Sequence, residues 1–220
     1  MKLDGKRLSA LFPAAVVAEE AQPALLLDEL YPEERAQIAR AVDKRRAEYA
    51  TVRVLARKAI RRLGVAAAPI VNGEDRSPAW PEGVVGSITH TKGYCGVVAA
   101  KSSDVRSLGA DVEGAEAARE EIWKHICTET EHAWITGLAE DDRGQVVKRI
   151  FSAKEAFYKA QYPLTRQYLG FHDVEMQLDL DGGHFEVQLQ RDSGEFATGA
   201  RFEGRVVVGD GLVISALTIE

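Results

Sequence analysis

Two short stretches hold the residue types that could do chemistry. Residues 108–113 read L-G-A-D-V-E, and residues 151–159 read F-S-A-K-E-A-F-Y-K. Side chains two apart in a strand share a face. Leu108, Ala110 and Val112 therefore turn toward a core, while Asp111 and Glu113 project together from the other side, about 7 Å apart. The second stretch has a helical period, with Val147, Ile150, Phe151, Lys154 and Tyr158 on one stripe. Glu155 and Lys159 then stand at i and i+4 on the neighbouring face. Adjacent carboxylates repel unless water or a hard cation separates them. Asp111, Glu113 and Glu155, with positions left for water and phosphate oxygens, suit Mg²⁺, or Mn²⁺ in its place. Each motif also has a plain structural reading. The D-x-E pair can be a solvated strand edge, Glu155 and Lys159 an exposed ion pair of small value, and Ser152 with Glu155 a capping box. The apolar period already running through Val146, Val147 and Ile150 argues against the last.

The carboxylates need a basic counterpart, and the charge distribution supplies one. Over 220 residues the formal net charge is −6, which argues against broad nucleic-acid binding. Residues 33–63 nevertheless carry ten Lys/Arg against four Asp/Glu, and residues 111–142 carry ten acids against two bases. One region is built for anions and the other for a cation or a basic partner. A helix is expected from Pro32 to Leu63, opened by Pro32, Glu33 and Glu34 and stopped by Gly64. Arg45 falls on its apolar stripe with Ile38, Val42, Tyr49 and Val52. A buried guanidinium needs a partner, unless its head snorkels to water. With Arg46 and Arg53 on the same side, the grouping suits phosphate.

The remaining elements follow from periodicity and turn residues. Residues 14–31 read as an irregular opening with a short helix near 25–30. Residues 64–83 are a Pro/Gly-rich structured connection with one short strand at 69–71. Strands at 84–90 and 94–100 flank a hairpin turn at 91–93, and Gly86 points to a close backbone approach. Ser87 and His90 come at the end of the first of these strands, where side chains meet a cleft; a lone histidine there can also be structural. A short helix is expected at 116–125. Thr128 and Glu131 form a capping-box pattern before a helix reaching 138, and 139–144 reads as an acidic, mobile loop. Pro163 and Gly170 end the Glu155 helix. Strands at 173–180, 185–189, 201–208 and 212–218 then make an antiparallel sheet. The fold class is α+β, in two halves of similar build, 1–104 and 105–220.

Cys95 and Cys127 lack metal-ligand spacing and read as reduced thiols. Residues 1–13 show no sustained apolar h-region with a small-residue cleavage site, so no export signal is expected there, and no apolar run reaches the length of a membrane span. A cytoplasmic protein that binds neither membrane nor nucleic acid is expected.

The Arg-rich helix, W-P-E-G-V-V-G-S-I-T-H at 80–90, G-A-D-V-E at 109–113 and F-S-A-K-E-A-F-Y-K at 151–159 together resemble the 4′-phosphopantetheinyl transferases. The branch resembled is the monomeric surfactin-synthetase type. The resemblance implies two pseudo-twofold-related α/β subdomains, each a mostly antiparallel sheet on a long helix, with the active site between them. It implies transfer of the phosphopantetheine arm of coenzyme A to a serine of an apo acyl, peptidyl or aryl carrier protein, leaving adenosine 3′,5′-bisphosphate. By resemblance, Asp111, Glu113 and Glu155 hold the metal, Glu155 is the general base, directly or through a metal-bound water, and Lys159 stabilises or protonates the leaving phosphate. Arg45, Arg53, Ser87, His90 and Lys154 contact coenzyme A. The family often has lysine where Asn72 stands, with Arg76 nearby as a substitute. Polyketide, nonribosomal-peptide or siderophore carriers are the implied partners, docking near 114–150 with the acidic 129–142 stretch outside the contact. Rival readings are a non-catalytic coenzyme A or nucleotide-binding module and a Mg²⁺-dependent pyrophosphate hydrolase.

Overall fold

The computed structural model describes residues 7–220; residues 1–6, part of the stretch expected to lack an export signal, lie outside it. The fold is α+β with two antiparallel sheets. The first has β1 (Val17–Ala21), β3 (Tyr94–Lys101) and β2 (Val84–Thr91) in the order β1-β3-β2. The second has β4 (Ser107–Gly114), β8 (Leu212–Ile219), β7 (Arg201–Gly209), β6 (His184–Leu189) and β5 (Val174–Asp179), in that order. Strand β1 was not legible, because V-A-E-E-A lacks β-branched enrichment. It forms because β3 offers it a full antiparallel register from Val17 opposite Ala99 to Ala21 opposite Cys95.

Helix α2 (Asp43–Arg62) covers the first sheet. Its Val52, Leu55, Ala56, Ala59 and Ile60 pack on Cys95, Val97 and Ala99 of β3. The expected single helix over 32–63 is instead two, α1 (Pro32–Gln37) and α2, separated by a turn. The cause is a buried ion pair. Arg57 donates to both oxygens of Glu34, at 2.9 and 2.7 Å, and Glu34 is fully buried. In one continuous helix these residues would lie about 35 Å apart. Arg46, expected beside the phosphate-binding arginines, donates to the carbonyls of Ile38 and Ala39 and so caps the reversal. Val42 is consequently exposed rather than on the apolar stripe.

Beyond β4 come α3 (Trp123–Ile126), α4 (Glu129–Thr136) and α5 (Glu140–Thr165). The capping box at the start of α4 is present: Thr128 Oγ1 accepts from Glu131 N, and Glu131 Oε2 accepts from Thr128 N. The acidic stretch expected to be a mobile loop is the first turn of α5, where Glu140, Asp141 and Asp142 favour the positive end of the helix dipole. Pro163 falls inside the last turn of α5 without ending it, and the helix closes at Arg166 in a left-handed conformation. No strand forms at 69–71; the chain makes an isolated bridge just beyond it, between Asn72 and Pro78. Among the described residues, no helix is long and apolar enough to cross a membrane. Both cysteines are free and buried, and burial pushes each thiol up to about 12, which leaves them unreactive.

The two sheets meet edge to edge at β2 and β4, and side chains make the join. Ser87 Oγ accepts from Ala110 N at 3.1 Å, and Thr89 Oγ1 accepts from Val112 N at 3.0 Å. Leu108, Ala110 and Val112 pack into a core shared with Val98 and Ala100 of β3. The opposite face of β4 is thereby left to α5.

Candidate functional site

Alternation along β4 sends Gly109, Asp111 and Glu113 toward α5, the face expected from the sequence. Gly109 sets how near the helix comes. A Cβ built there would lie 1.9 Å from the Ala156 carbonyl oxygen, and Ser107 Oγ donates to the Ala160 carbonyl at 2.6 Å. At this close approach, Lys159 Nζ donates to Asp111 Oδ1 at 2.7 Å and to the Ala110 carbonyl at 3.2 Å. Gly109→Ala should therefore push α5 away from β4. Overpacking of this kind costs about 1–3 kcal/mol, so a lowered urea midpoint with reduced turnover is expected. Unchanged values for both would mean that the spacing is not critical.

Asp111 is buried, and its second oxygen, Oδ2, has no hydrogen-bond partner. Glu113 and Glu155 are half-buried. Burial first, and then the Asp111 charge, raises the pKa of Glu113, against the opposing pull of Lys148 and Lys159. Burial also raises Glu155, opposed by Lys159 and assisted by Asp111. The three carboxylates thus feel one another's charge. They are neighbours rather than a closed cage: among the described residues, no three such side chains are arranged to enclose a cation as they stand. The donor set nevertheless fits a hard divalent ion. It is all oxygen, it is mutually repulsive, and it includes one orphaned buried oxygen.

A cleft of about 1070 Å³ runs from Lys159 between the two sheets' helices. Arg45, Arg53, Arg76, Ser87, His90 and Lys159 all line it, so most of the expected cofactor-binding residues share one space. Arg45 is exposed and crosses to β2, where its Nη1 donates to His90 Nε2 at 2.7 Å. Arg53 is buried, with its guanidinium 4.1 Å from the centroid of the Tyr49 ring and its Nε unpartnered. One of its terminal nitrogens donates to Asn72 Oδ1. Asn72 therefore orients an arginine at the position where a lysine was expected. Arg76 sits at the bend of the following loop with a positive φ of 66°.

Two expectations need correction. Ser87 lines the cleft, but its hydroxyl accepts the Ala110 N–H and turns its own O–H to the Ala110 carbonyl at 3.5 Å, so it builds the floor at the sheet junction rather than offering a free donor. Lys154 does not reach the cleft. It is 2% exposed, and Nζ donates to Glu131 Oε2 at 2.7 Å, the Ile126 carbonyl at 3.0 Å and the Phe171 carbonyl at 2.7 Å. All three ammonium protons are used internally. The sequence reading missed Trp80, Tyr158, Tyr162 and Arg166, which complete the walls. Trp80 could have been anticipated, since Gly86 leaves room for it: a Cβ at Gly86 would lie 2.4 Å from the Trp80 ring. The contact between Arg166 and Asp75 that closes the far side, at 3.0 Å, joins residues 91 apart and left no local signal.

A cleft rich in arginine, opening onto a group of carboxylates through one shared lysine, is an arrangement for a phosphate-bearing ligand and a reaction at its edge. Residues 33–100 match the 4′-phosphopantetheinyl transferase N-terminal domain, and residues 107–209 match the 4′-phosphopantetheinyl transferase superfamily. The chain belongs to the 4′-phosphopantetheinyl transferase superfamily. Similar proteins include the 4′-phosphopantetheinyl transferase Svp of Streptomyces mobaraensis, 40% identical over 96% of this chain and 89% of that protein. The 4′-phosphopantetheinyl transferase PptT of Mycobacterium tuberculosis is 37% identical over 98% of this chain and 99% of its own length. Enterobactin synthase component D of Escherichia coli K12 is 31% identical over 79% and 80%. The superfamily match spans β4 and α5, and so covers Asp111, Glu113, Glu155 and Lys159.

Proposed function

We propose that this protein transfers the 4′-phosphopantetheine arm of coenzyme A to a serine hydroxyl of an apo carrier protein, with Mg²⁺ and with release of adenosine 3′,5′-bisphosphate. The observation that carries the proposal is the continuity of the arginine-lined cleft with the Asp111–Lys159 contact. Arg45, Arg53 and Arg76 hold the nucleotide phosphates, and Arg53 is held in place by Tyr49 and Asn72. Glu155 takes the proton of the carrier serine, for which its raised pKa suits it. The serine oxygen forms a bond to the phosphorus bearing pantetheine, and that phosphorus releases the adenosine-side phosphate. Lys159 offers a positive charge to the oxygen that departs. Asp111, Glu113 and Glu155 would hold Mg²⁺, which supplies charge neutralisation on the pyrophosphate. Division of the chain near residue 104 into a coenzyme A-binding half and a metal-binding half belongs to the same proposal, as does action as a cytoplasmic monomer. Carriers of polyketide, nonribosomal-peptide or siderophore synthesis are the proposed partners, meeting the surface around 114–150 away from Glu140, Asp141 and Asp142.

Intact mass spectrometry of an apo carrier protein incubated with this protein and coenzyme A tests the proposal. A gain of one phosphopantetheine that disappears with a chelator is expected. Coenzyme A bound without transfer to several carrier classes would favour a binding module, and coenzyme A cleaved without carrier modification would favour a hydrolase.

A further inference from the structure

Glu48 lies on α2 one turn beyond Arg45 and is 7% exposed, although the proposed transfer assigns it no part. Among the described residues its carboxylate makes no close hydrogen bond. Its oxygens stand 3.7 Å from His90 Nδ1, 3.8 Å from Lys44 Nζ and 3.9 Å from Arg45 Nη1. A carboxylate is thus buried among cations at the mouth of the cleft, behind the two side chains that face it.

The contact between Arg45 and His90 fixes the state of the imidazole. A guanidinium can only donate, so His90 Nε2, 2.7 Å from Arg45 Nη1, must accept through its lone pair. The ring proton then resides on Nδ1, the nitrogen turned toward Glu48. His90 is neutral in this arrangement. Burial and the Arg45 charge lower its pKa, and Glu48 acts in the opposite direction. The other charged or titratable groups facing it are Lys44 on α2, Lys159 on α5 and the Cys95 thiol, whose strand position is opposite His90 on β3.

A phosphate entering between Arg45 and His90 presents only acceptor oxygens. Facing it with a lone pair on Nε2 is repulsive, so Nε2 must become an N–H. Moving the existing proton from Nδ1 would achieve this, but the bare Nδ1 lone pair would then face the Glu48 carboxylate. Taking a proton from solvent avoids both repulsions, because the imidazolium donates to the phosphate through Nε2 and faces Glu48 through Nδ1.

We propose that Glu48 is a positioning residue that makes coenzyme A binding proton-linked, by holding the Nδ1–H of His90 inward so that a ligand phosphate is bound with uptake of one proton at Nε2. This rests on the reading of the cleft as the coenzyme A site. Isothermal titration calorimetry of the full chain with coenzyme A, in buffers of different ionisation enthalpy, counts the linked protons. Measurement between about pH 7.5 and 8 avoids the ligand's own phosphate ionisation near pH 6. Net uptake approaching one proton is expected, with affinity falling as pH rises through the complexed histidine's pKa. In Glu48→Gln the uptake should shrink and the affinity profile move toward acid, weakening binding by about tenfold near pH 7.5. His90→Gln should bind more weakly with no linked proton.

Coenzyme A binding with no proton uptake by the unaltered protein would overturn the proposal, whatever the variants do. So would a Glu48→Gln protein that binds less tightly by the same factor at every pH with undiminished uptake, because that describes a structural role only. Absence of any coenzyme A binding would overturn the functional reading and this inference with it.

Discussion

Asp111→Ala is expected to lower phosphopantetheine transfer by about a thousandfold or more while leaving the fold intact. The substitution removes a carboxylate whose Oδ2 is buried without a partner, next to Glu113 and Glu155. Metal-borne charge stabilisation at a pyrophosphate is worth several kcal/mol, and about 4 kcal/mol corresponds to a factor near 10³. Stability should change little for two opposing reasons. The Lys159 ion pair is lost, but the Lys159 side chain is 27% exposed and can be rehydrated. Repulsion on Glu113 and Glu155 is relieved at the same time. Carrier modification followed by intact mass, beside a urea melt, separates the two effects. Near-normal transfer by the variant with Mg²⁺ would remove Asp111 from the metal site and with it the organising claim of the mechanism.

Lys154→Met should instead act on stability, lowering it by about 3–5 kcal/mol. Removing one member of a buried ion pair leaves the other charge uncompensated. Glu131 would lose the Lys154 ammonium while keeping only the N–H groups of Thr128 and Met176. The Ile126 and Phe171 carbonyls would lose their donor as well. This one ammonium joins the end of α3, the loop before β5 and the start of α4 to α5, beside Glu155. For a chain of this size each kcal/mol moves the melting temperature by about 2–4 °C, so a drop on the order of 10 °C is expected. Replacing the pair together, Lys154→Met with Glu131→Leu, should recover part of the loss, because apolar pairs of similar volume often match a buried ion pair. An unchanged melting temperature with weakened coenzyme A binding would restore Lys154 to the cleft.

Lys154 shows where local reading of a sequence stops. Its position beside Glu155 in a charged motif reads as a second cation for phosphate, and helical period does not reveal that Glu131, 23 residues earlier, waits for it in the core. Ser87 is similar: the strand end was legible, but an edge meeting between β2 and β4 that turns its hydroxyl to the Ala110 N–H and carbonyl was not. Arg45, Arg53 and His90 do line the cleft. Helix and strand period alone placed each near a strand end or on one helix side, which is where the cleft lies.

What the sequence determined by itself is the chemistry of each element. Alternation sends Asp111 and Glu113 away from Leu108, Ala110 and Val112; the i, i+4 spacing sets Glu155 beside Lys159; turn residues end the strands from β2 to β8. These are consequences of backbone geometry over a few residues, and they survive in almost any packing. Tertiary structure decided the rest. It broke the helix before α2 so that Glu34 could reach Arg57, recruited β1 to the edge of β3, used Gly109 to bring α5 against β4, and placed Glu48 behind Arg45 and His90. Each of those outcomes depends on a buried charge finding its partner or a backbone finding room. Such conditions are met between segments far apart in the chain, where no local period records them.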